Sequence, residues 1–152
     1  MNAHRYYSAV AIFEKRSEVW GVYAVTEPGR AEMKFPGGTS KDHLDADPID
    51  TLDREIDEEL HIGIRVAPCF FVEKRGLGHE KHFFLVLKYD GVIREGRFLD
   101  DYAEKMLRWV SLPEFSRNCL HHREAFRRAL KAQAENSEEF KRETRQFVRS
   151  FQ

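Results

Sequence analysis

The stretch REIDEEL, residues 54–60, places four acidic residues and one arginine in seven positions. It follows FPGGTS at residues 35–40, and the two stretches together decide the fold. On a helix, acidic side chains three or four residues apart repel each other by about 0.2–0.5 kcal/mol per pair. These acids also lie beyond the middle of the predicted helix, where the helix dipole does not stabilise anions. Local stability therefore does not explain why they gather here.

A helix is predicted to begin at Asp47 and Pro48, a capping residue followed by one suited to the first helical position. Apolar residues then recur every three or four positions and predict one buried stripe, made of Ile49, Leu52, Ile56 and Leu60. A second arc of the helix carries Glu55, Glu58 and Glu59. Two interpretations are open: a solvated acidic face in which Arg54 pairs with Glu58, and a site for a divalent cation.

The glycines before the helix favour the cation site. In Pro36-Gly37-Gly38 the backbone can come close to a ligand, and a glycine carbonyl can join carboxylates around Mg²⁺ or Mn²⁺. These hard cations prefer oxygen ligands and bridge the oxygens of a polyphosphate.

Together, FPGGTS and REIDEEL resemble the signature of the Nudix hydrolases. Gly38 matches the opening glycine of that signature. The second half is matched in order and spacing by Arg54, Glu55, Ile56, Glu58 and Glu59. MKFPGG at 33–38 resembles the strand that precedes the signature, and LRWVSLPEF at 107–115 resembles a tryptophan-containing strand and turn found late in many members. The resemblance spans residues 6–130.

Three positions depart from the family pattern. Fifteen residues separate Gly38 from Arg54, two more than in the pattern. The first glutamate of the signature has no direct counterpart, and Asp45 or Asp47 is expected to stand in for it. His61 takes the place of a glycine that ends the helix in a left-handed conformation, which histidine tolerates poorly.

The resemblance implies a divalent-metal-dependent hydrolase that cleaves the pyrophosphate linkage of a nucleoside diphosphate joined to another group. Glu58 and Glu59 would be the main ligands of Mg²⁺ or Mn²⁺, with the Gly38 carbonyl assisting. Glu55 would be a third ligand or would help to deprotonate the attacking water, and Arg54 would orient the acids. The alternative is a Nudix-fold module that binds a nucleotide or a protein with little or no catalytic activity. A plain α/β domain whose acidic helix only faces water is the third hypothesis.

Further residues complete the predicted site. Family members often add a carboxylate from a later loop; Glu104 is the candidate, with Glu95, Asp100 and Asp101 as alternatives. The candidate substrate-binding residues are Gly37, Gly38, Lys74, Arg75 and Lys81. The three cations flank the GLG hairpin, and solvated residues at a strand end are an equally good interpretation of them. We expect substrate specificity in the loops at 26–32, 39–47, 76–80 and 90–104.

Strand patterns occur at 6–13, 19–25, 69–75, 82–89 and 107–112, and the chain is predicted to be helical over about 113–152 with a break at Asn136-Ser137. Strands and helices therefore mix, which favours the α/β (α+β) class. The resemblance implies a Nudix-type α/β/α sandwich with a mixed central sheet. The length predicts a single domain over 1–152. An apolar stripe on the last helix is expected to dock on its own domain, with a dimer contact as the alternative; it consists of Phe140, Phe147, Val148 and Phe151.

The composition predicts a soluble globular protein, with 34% charged and 41% apolar residues. A net charge of −1 argues against general nucleic-acid binding. A signal-peptide pattern and an apolar run of about 18 residues are both lacking, which favours a cytoplasmic protein without a membrane span. Cys69 and Cys119 are expected to be reduced and buried. The expected partner is a small-molecule nucleotide, bound by a monomer or homodimer.

Overall fold

The computed structural model describes residues 5–40, 47–74, 79–100 and 103–151. The strands in these residues are β1 (Arg5–Ala11), β2 (Phe13–Arg16), β3 (Val19–Thr26), β4 (Gly37–Thr39), β5 (Gly63–Val66), β6 (Phe71–Lys74), β7 (His79–Asp90), β8 (Gly96–Asp100) and β9 (Ala103–Ser111). The helices are α1 (Pro48–Leu60), α2 (Leu112–Asn118), α3 (Arg123–Asn136), α4 (Glu138–Glu143) and α5 (Arg145–Phe151), with a short 3-10 helix at Leu120–His122. The predicted α+β class is confirmed. The described residues group into two compact units.

The first unit holds residues 5–10, 36–40, 47–74 and 79–94, and it contains REIDEEL and all of FPGGTS except Phe35. Its sheet has the strand order β4-β1-β7-β5, and β6 also pairs with β7. Strand β4 runs antiparallel to β1, with Gly38 opposite Ser8. Helix α1 packs against β4 and buries Leu52, Ile56 and Leu60. The predicted apolar stripe is thereby confirmed for three of its four members.

The second unit holds residues 11–35 and 95–151. Its sheet has the order β2-β3-β9-β8, and all three neighbouring pairs are antiparallel. Trp109 on β9 lies opposite Tyr23 on β3, and its indole Nε1–H donates to the carbonyl of Glu14 at 2.9 Å. The guanidinium of Arg16 lies 5.2 Å from the Trp109 ring. The tryptophan therefore fixes the middle of this sheet through both its ring and its N–H group.

The C-terminal helices pack on the second unit through aromatic side chains. The predicted break is confirmed at Ser137, whose extended backbone ends α3 and whose Oγ accepts the N–H of Phe140 at 3.1 Å. Phe140 is fully buried, and the rings of Phe147 and Phe151 lie 6.3 and 5.1 Å from that of Phe126. The expected docking of this stripe on its own part of the chain is thus confirmed.

Several strands and the burial of two side chains differ from the predictions. Ile49 is 41% exposed, because periodicity gives the direction of a side chain and not whether the first turn of a helix is covered. Strands β2, β5 and β8 were not predicted, and β8 lies within 90–104, where a loop was expected. The strand expected at MKFPGG is observed as β4, which is short and begins only at Gly37. Cys119 is buried, whereas Cys69 is only partly buried. None of the helices in the described ranges is long and apolar enough to cross a membrane.

Candidate functional site

Helix α1 is fixed at both of its ends. At the start, Asp47 Oδ1 accepts the N–H of Asp50 at 2.9 Å, and Ser8 Oγ on β1 donates to the carbonyl of Pro48 at 2.7 Å. The cap predicted from Asp47 and Pro48 is therefore confirmed. At the other end His61 adopts the left-handed conformation, with φ 55° and ψ 39°. Its N–H donates to the carbonyl of Ile56 at 3.1 Å, so the helix stops there without a glycine.

The left-handed conformation of His61 has an energetic cost, which for an L-residue is about 1–2 kcal/mol relative to ordinary helical backbone. The expectation that histidine tolerates this conformation poorly is not borne out, since His61 adopts it and histidine is found in it more often than most residues other than glycine. The structure shows that the geometry itself is retained.

Gly38 and Glu55 are in close contact. A Cβ atom built on Gly38 would lie 2.3 Å from Cδ and from Oε1 of Glu55, so any side chain at this position would collide with the carboxylate. On Gly37 a Cβ would lie 2.1 Å from the carbonyl oxygen of Ser8. The two glycines let β4 run between β1 and α1, and they bring the Gly38 backbone directly against the Glu55 carboxylate.

Arg54 connects the helix to the same strand. Its Nη2 donates to the carbonyl of Thr39 at 3.0 Å. Its Nη1 lies 3.1 Å from Glu55 Oε1 and 3.3 Å from Glu58 Oε2. The Arg54 side chain is 14% exposed, so these contacts form in a partly desolvated environment where ion pairs are stronger than in water. One guanidinium thus ties α1 to β4 and holds two carboxylates.

The three glutamates differ in burial. Glu55 and Glu59 are each 4% exposed, whereas the side chain of Glu58 is 47% exposed. On the helical wheel Glu55 and Glu59 border the buried stripe and Glu58 lies outside it. A solvated acidic face therefore describes Glu58, which pairs with Arg54, but it does not describe Glu55 and Glu59. Burying two carboxylates one helical turn apart is unfavourable unless positive charge compensates for it.

The donors fit a hard divalent cation in chemistry and in charge. Carboxylate oxygens and a glycine carbonyl are the ligands that Mg²⁺ and Mn²⁺ prefer, and the absence of a Cβ on Gly38 leaves its backbone adjacent to a buried carboxylate. Within the described ranges, no three His, Cys, Asp or Glu side chains form a group that could hold a metal ion. The Glu58 carboxylate is turned towards Arg54. The Glu55 carboxylate therefore lies beside Gly38, Glu59 is buried one turn further along α1, and Glu58 is held by Arg54.

Two of the positively charged residues predicted to bind the substrate lie elsewhere in the first unit. Lys74 is exposed at the end of β6 and lies opposite Glu80 of β7. Lys81 lies opposite Glu73, with its Nζ 5.3 Å from the centre of the Tyr7 ring. Arg75 and Asp45 fall outside the described residues.

The predicted late carboxylates belong to the second unit. Glu104 was expected in a loop but lies in β9, where its carboxylate is 3.5 Å from Nε of Arg97. Glu95 accepts the backbone N–H of Trp109 at 2.7 Å and lies 2.9 Å from Nη2 of Arg16. Asp101 and the side chain of Asp100 are outside the described part of the chain.

Two participants in the site were not predicted. The carbonyl of Thr39 receives Arg54, and the hydroxyl of Ser8 holds the carbonyl at the start of α1. Backbone carbonyls cannot be distinguished by residue type, so the sequence carries no signal for Thr39. Ser8 lies within a strand pattern, and only its buried position could have singled it out.

No family model matches the sequence, and no curated protein matches it. Solved structures do match. The Nudix domain of Shewanella oneidensis NrtR, solved with ADP-ribose, is 14% identical, with a TM-score of 0.60 over 87% of this chain and 90% of that one. A C. elegans Ap4A hydrolase, solved as a binary complex, is 13% identical, with a TM-score of 0.61 over 87% and 98%. A MutT Nudix hydrolase from Burkholderia pseudomallei is 20% identical, with a TM-score of 0.51 over 72% and 84%. This chain therefore has the fold of the Nudix hydrolases.

Proposed function

We propose that the protein is a Nudix-type pyrophosphohydrolase that requires Mg²⁺ or Mn²⁺ and cleaves a nucleoside diphosphate joined to another group. The observation that carries this proposal is the contact between Gly38 and the Glu55 carboxylate, with Glu59 buried one turn further along α1. This contact joins the two sequence stretches that match the Nudix signature.

Charge supports the same conclusion. Glu55 and Glu59 add two negative charges to a desolvated face of α1, and Arg54 supplies one positive charge that it shares with Glu58. A divalent cation bound here would be attracted to these carboxylates more strongly than in water, because water is excluded from this face of the helix.

Each residue has a proposed role. Glu55, Glu58, Glu59 and the Gly38 carbonyl would hold the cation, which when bound neutralises the diphosphate and promotes attack by water. Glu58 is accessible to solvent and would exchange its contact with Arg54 for the cation. Arg54 would keep the remaining carboxylates oriented while anchored on the Thr39 carbonyl. Lys74, Arg75 and Lys81 remain candidates for the phosphates of the substrate, and Glu104 remains the candidate late carboxylate.

The neighbours of similar fold support a proposal for the substrate class. One was solved with ADP-ribose and another is an Ap4A hydrolase. Both compounds contain a nucleoside diphosphate joined to a further group, which is the chemistry that a carboxylate-bound cation recognises. We therefore propose a small nucleotide of this kind as the substrate, in a cytoplasmic protein.

The test is turnover of a nucleotide panel by the full chain. The panel holds ADP-ribose, Ap4A, a nucleotide sugar and the nucleoside triphosphates, each with Mg²⁺, with Mn²⁺ and with a chelator, and the products are separated by chromatography. The decisive variant is Glu58→Gln, which removes one charge from an exposed side chain and should leave the fold intact. We expect hydrolysis to fall by at least about 100-fold, the loss typical of removing a group that stabilises the transition state.

Asp57→Asn is the matched control, because Asp57 is exposed on the same helix and loses the same charge. It should retain hydrolysis within about twofold, since a lone surface charge contributes little. Equal rates in Glu58→Gln and the unmodified protein would refute the catalytic assignment.

The second candidate function is a nucleotide-binding module without turnover. The observation that favours it is the contact between Glu58 and Arg54, which occupies one of the proposed metal ligands. This candidate predicts that ADP-ribose or Ap4A raises the melting temperature while every member of the panel stays uncleaved. Cleavage that depends on the cation excludes it.

A further inference from the structure

A second cluster of reactive side chains lies in the first unit, at the start of β7. It comprises Cys69, His82 and Glu80. The sulfur of Cys69 lies 4.0 Å from Nδ1 of His82, and Nε2 of His82 lies 3.4 Å from Oε1 of Glu80. A thiol, an imidazole and a carboxylate therefore stand in series, which is the order found where a base activates a nucleophile.

The strands explain why these residues meet. Glu80 and His82 are two positions apart on β7, so their side chains project from the same face of the sheet. The N–H of Phe70 donates to the carbonyl of Phe83 at 3.0 Å and holds the segment that carries Cys69 against β7. The ring of Tyr6 meets the His82 ring edge-on, with centroids 5.5 Å apart, and restricts its rotation.

The carboxylate selects the form of the imidazole. An ionised Glu80 only accepts hydrogen bonds, so Nε2 of His82 must carry a proton to bond with it. In the neutral ring Nδ1 is then unprotonated and faces the sulfur as an acceptor. The Cys69 thiol has a second acceptor in the carbonyl of Phe71, at 3.3 Å. The thiol proton therefore has an acceptor at the carbonyl and a base at His82.

A shared metal ion does not account for this arrangement. The sulfur and the carboxylate lie on opposite nitrogens of the same ring, so one ion could not bind all three side chains. Accordingly, within the part of the chain that the structure describes, these residues do not form a group suited to a metal.

We propose that Cys69 is a site of covalent modification by low-molecular-weight disulfides, with His82 as its base and Glu80 as the residue that positions His82. The thiol proton moves to Nδ1 of His82 as Sγ attacks one sulfur of the disulfide. A new bond forms between Sγ and that sulfur, and the original S–S bond breaks. The departing thiolate takes the proton from His82 and leaves as a thiol, so Cys69 is oxidised and the released half is reduced.

Cys119 provides an internal control. It is 1% exposed, and burial raises its pKa from 9.0 to about 11. The thiolate is the attacking species, so Cys119 should not react under conditions in which Cys69 does.

The experiment exposes the full-length folded protein to glutathione disulfide at pH 7 and locates the mixed disulfide by peptide mass spectrometry. We expect modification of Cys69 and none of Cys119. His82→Gln should slow the reaction of Cys69 by at least about tenfold, a low value for a general base because the sulfur-to-nitrogen contact is long. Glu80→Gln should slow it less, since it acts only through His82.

A repeat at pH about 9.5 separates chemistry from access, because hydroxide can act there as the base in place of His82. There the thiol loses its proton to hydroxide, so both variants should approach the rate of the unmodified protein. The proposal would be overturned if Cys69 were modified at the same rate in His82→Gln as in the unmodified protein at pH 7. It would also be overturned if the variants still reacted more slowly at the higher pH. Melting temperatures of the variants confirm that the folded form is measured.

Discussion

Helices α1 and α3 contain similar charged sequences in opposite environments. REIDEEL at 54–60 and REAFRRAL at 123–130 both begin with Arg-Glu and continue with charges one turn later. In α3, Glu124 lies at the surface and accepts hydrogen bonds from Arg127 and Arg128, which lower its pKa from 4.5 to about 2. In α1, Glu55 is buried against Gly38, and the charges that follow it one turn later are negative as well.

The difference shows which acidic cluster requires a functional explanation. The α3 cluster is neutralised within one turn and faces solvent, where such pairs contribute little and tolerate change. The α1 cluster keeps like charges together in a desolvated place, an arrangement that lowers stability. The burial of Glu55 and Glu59 one turn apart on α1 therefore supports the proposed cation site.

The largest effect is expected from Gly38→Ala, which would break the arrangement around α1. The new methyl group would lie 2.3 Å from the Glu55 carboxylate and force the side chain or the strand to move. Displacing a group that stabilises the transition state typically lowers turnover by about 10²–10³-fold. The unfolding free energy should change much less, because the atoms that must move are at the end of the Glu55 side chain. Both are measured, as kcat/KM on the best substrate of the panel and by urea denaturation.

Gly63→Ala is the matched control, because a Cβ at Gly63 meets nothing within 4 Å. Activity and stability should remain unchanged there. Full activity in Gly38→Ala would show that the approach of β4 to Glu55 is not needed for turnover.

The next effect compares two arginines. Arg54→Ala removes the contacts to Thr39, Glu55 and Glu58 and leaves the buried Glu55 with less compensation, so we expect a loss of about 2–3 kcal/mol in unfolding free energy. Arg127→Ala removes an exposed pair with Glu124 and should cost clearly less, since exposed ion pairs contribute little to stability. Equal losses, measured by urea denaturation at neutral pH, would mean that burial does not distinguish the two helices.

The smallest effect concerns pH and Glu124. Its folded pKa is depressed, so the stability it contributes is present above pH 4.5 and is lost as the pH falls towards about 2. The difference in unfolding free energy between the unmodified protein and Glu124→Gln should therefore narrow below pH 4.5. Because the site is exposed, that difference should stay below about 1 kcal/mol at neutral pH. If this difference in unfolding free energy increased as the pH fell, the assignment of this ion pair would be contradicted.

Much of the site was predictable because its signal is local. The cap at Asp47 and Pro48, the buried stripe from Leu52 to Leu60 and the pairing of Arg54 with Glu58 all depend on residues within a few positions of each other. Helical geometry alone relates such positions.

What escaped prediction depends on contacts between distant parts of the chain. Sequence pattern did not show that Glu55 and Glu59 are buried while Glu58 is exposed, because burial is decided by what packs over the helix. The position of β4 is decided by its pairing with β1, since three glycine-rich residues carry no strand pattern of their own. Cys69 and His82 are thirteen positions apart and meet through strand pairing that the periodicity of either segment does not specify.

The left-handed His61 at the end of α1 has a consequence for how distant relatives are found. A sequence pattern that demands glycine at this position passes over any chain that reaches the same backbone angles with another residue. Here the shape of the helix end survives although the residue that usually secures it has been replaced. A sequence pattern for this fold would therefore match more of its members if it also allowed histidine, asparagine and aspartate at this position. These side chains enter the left-handed conformation more readily than most.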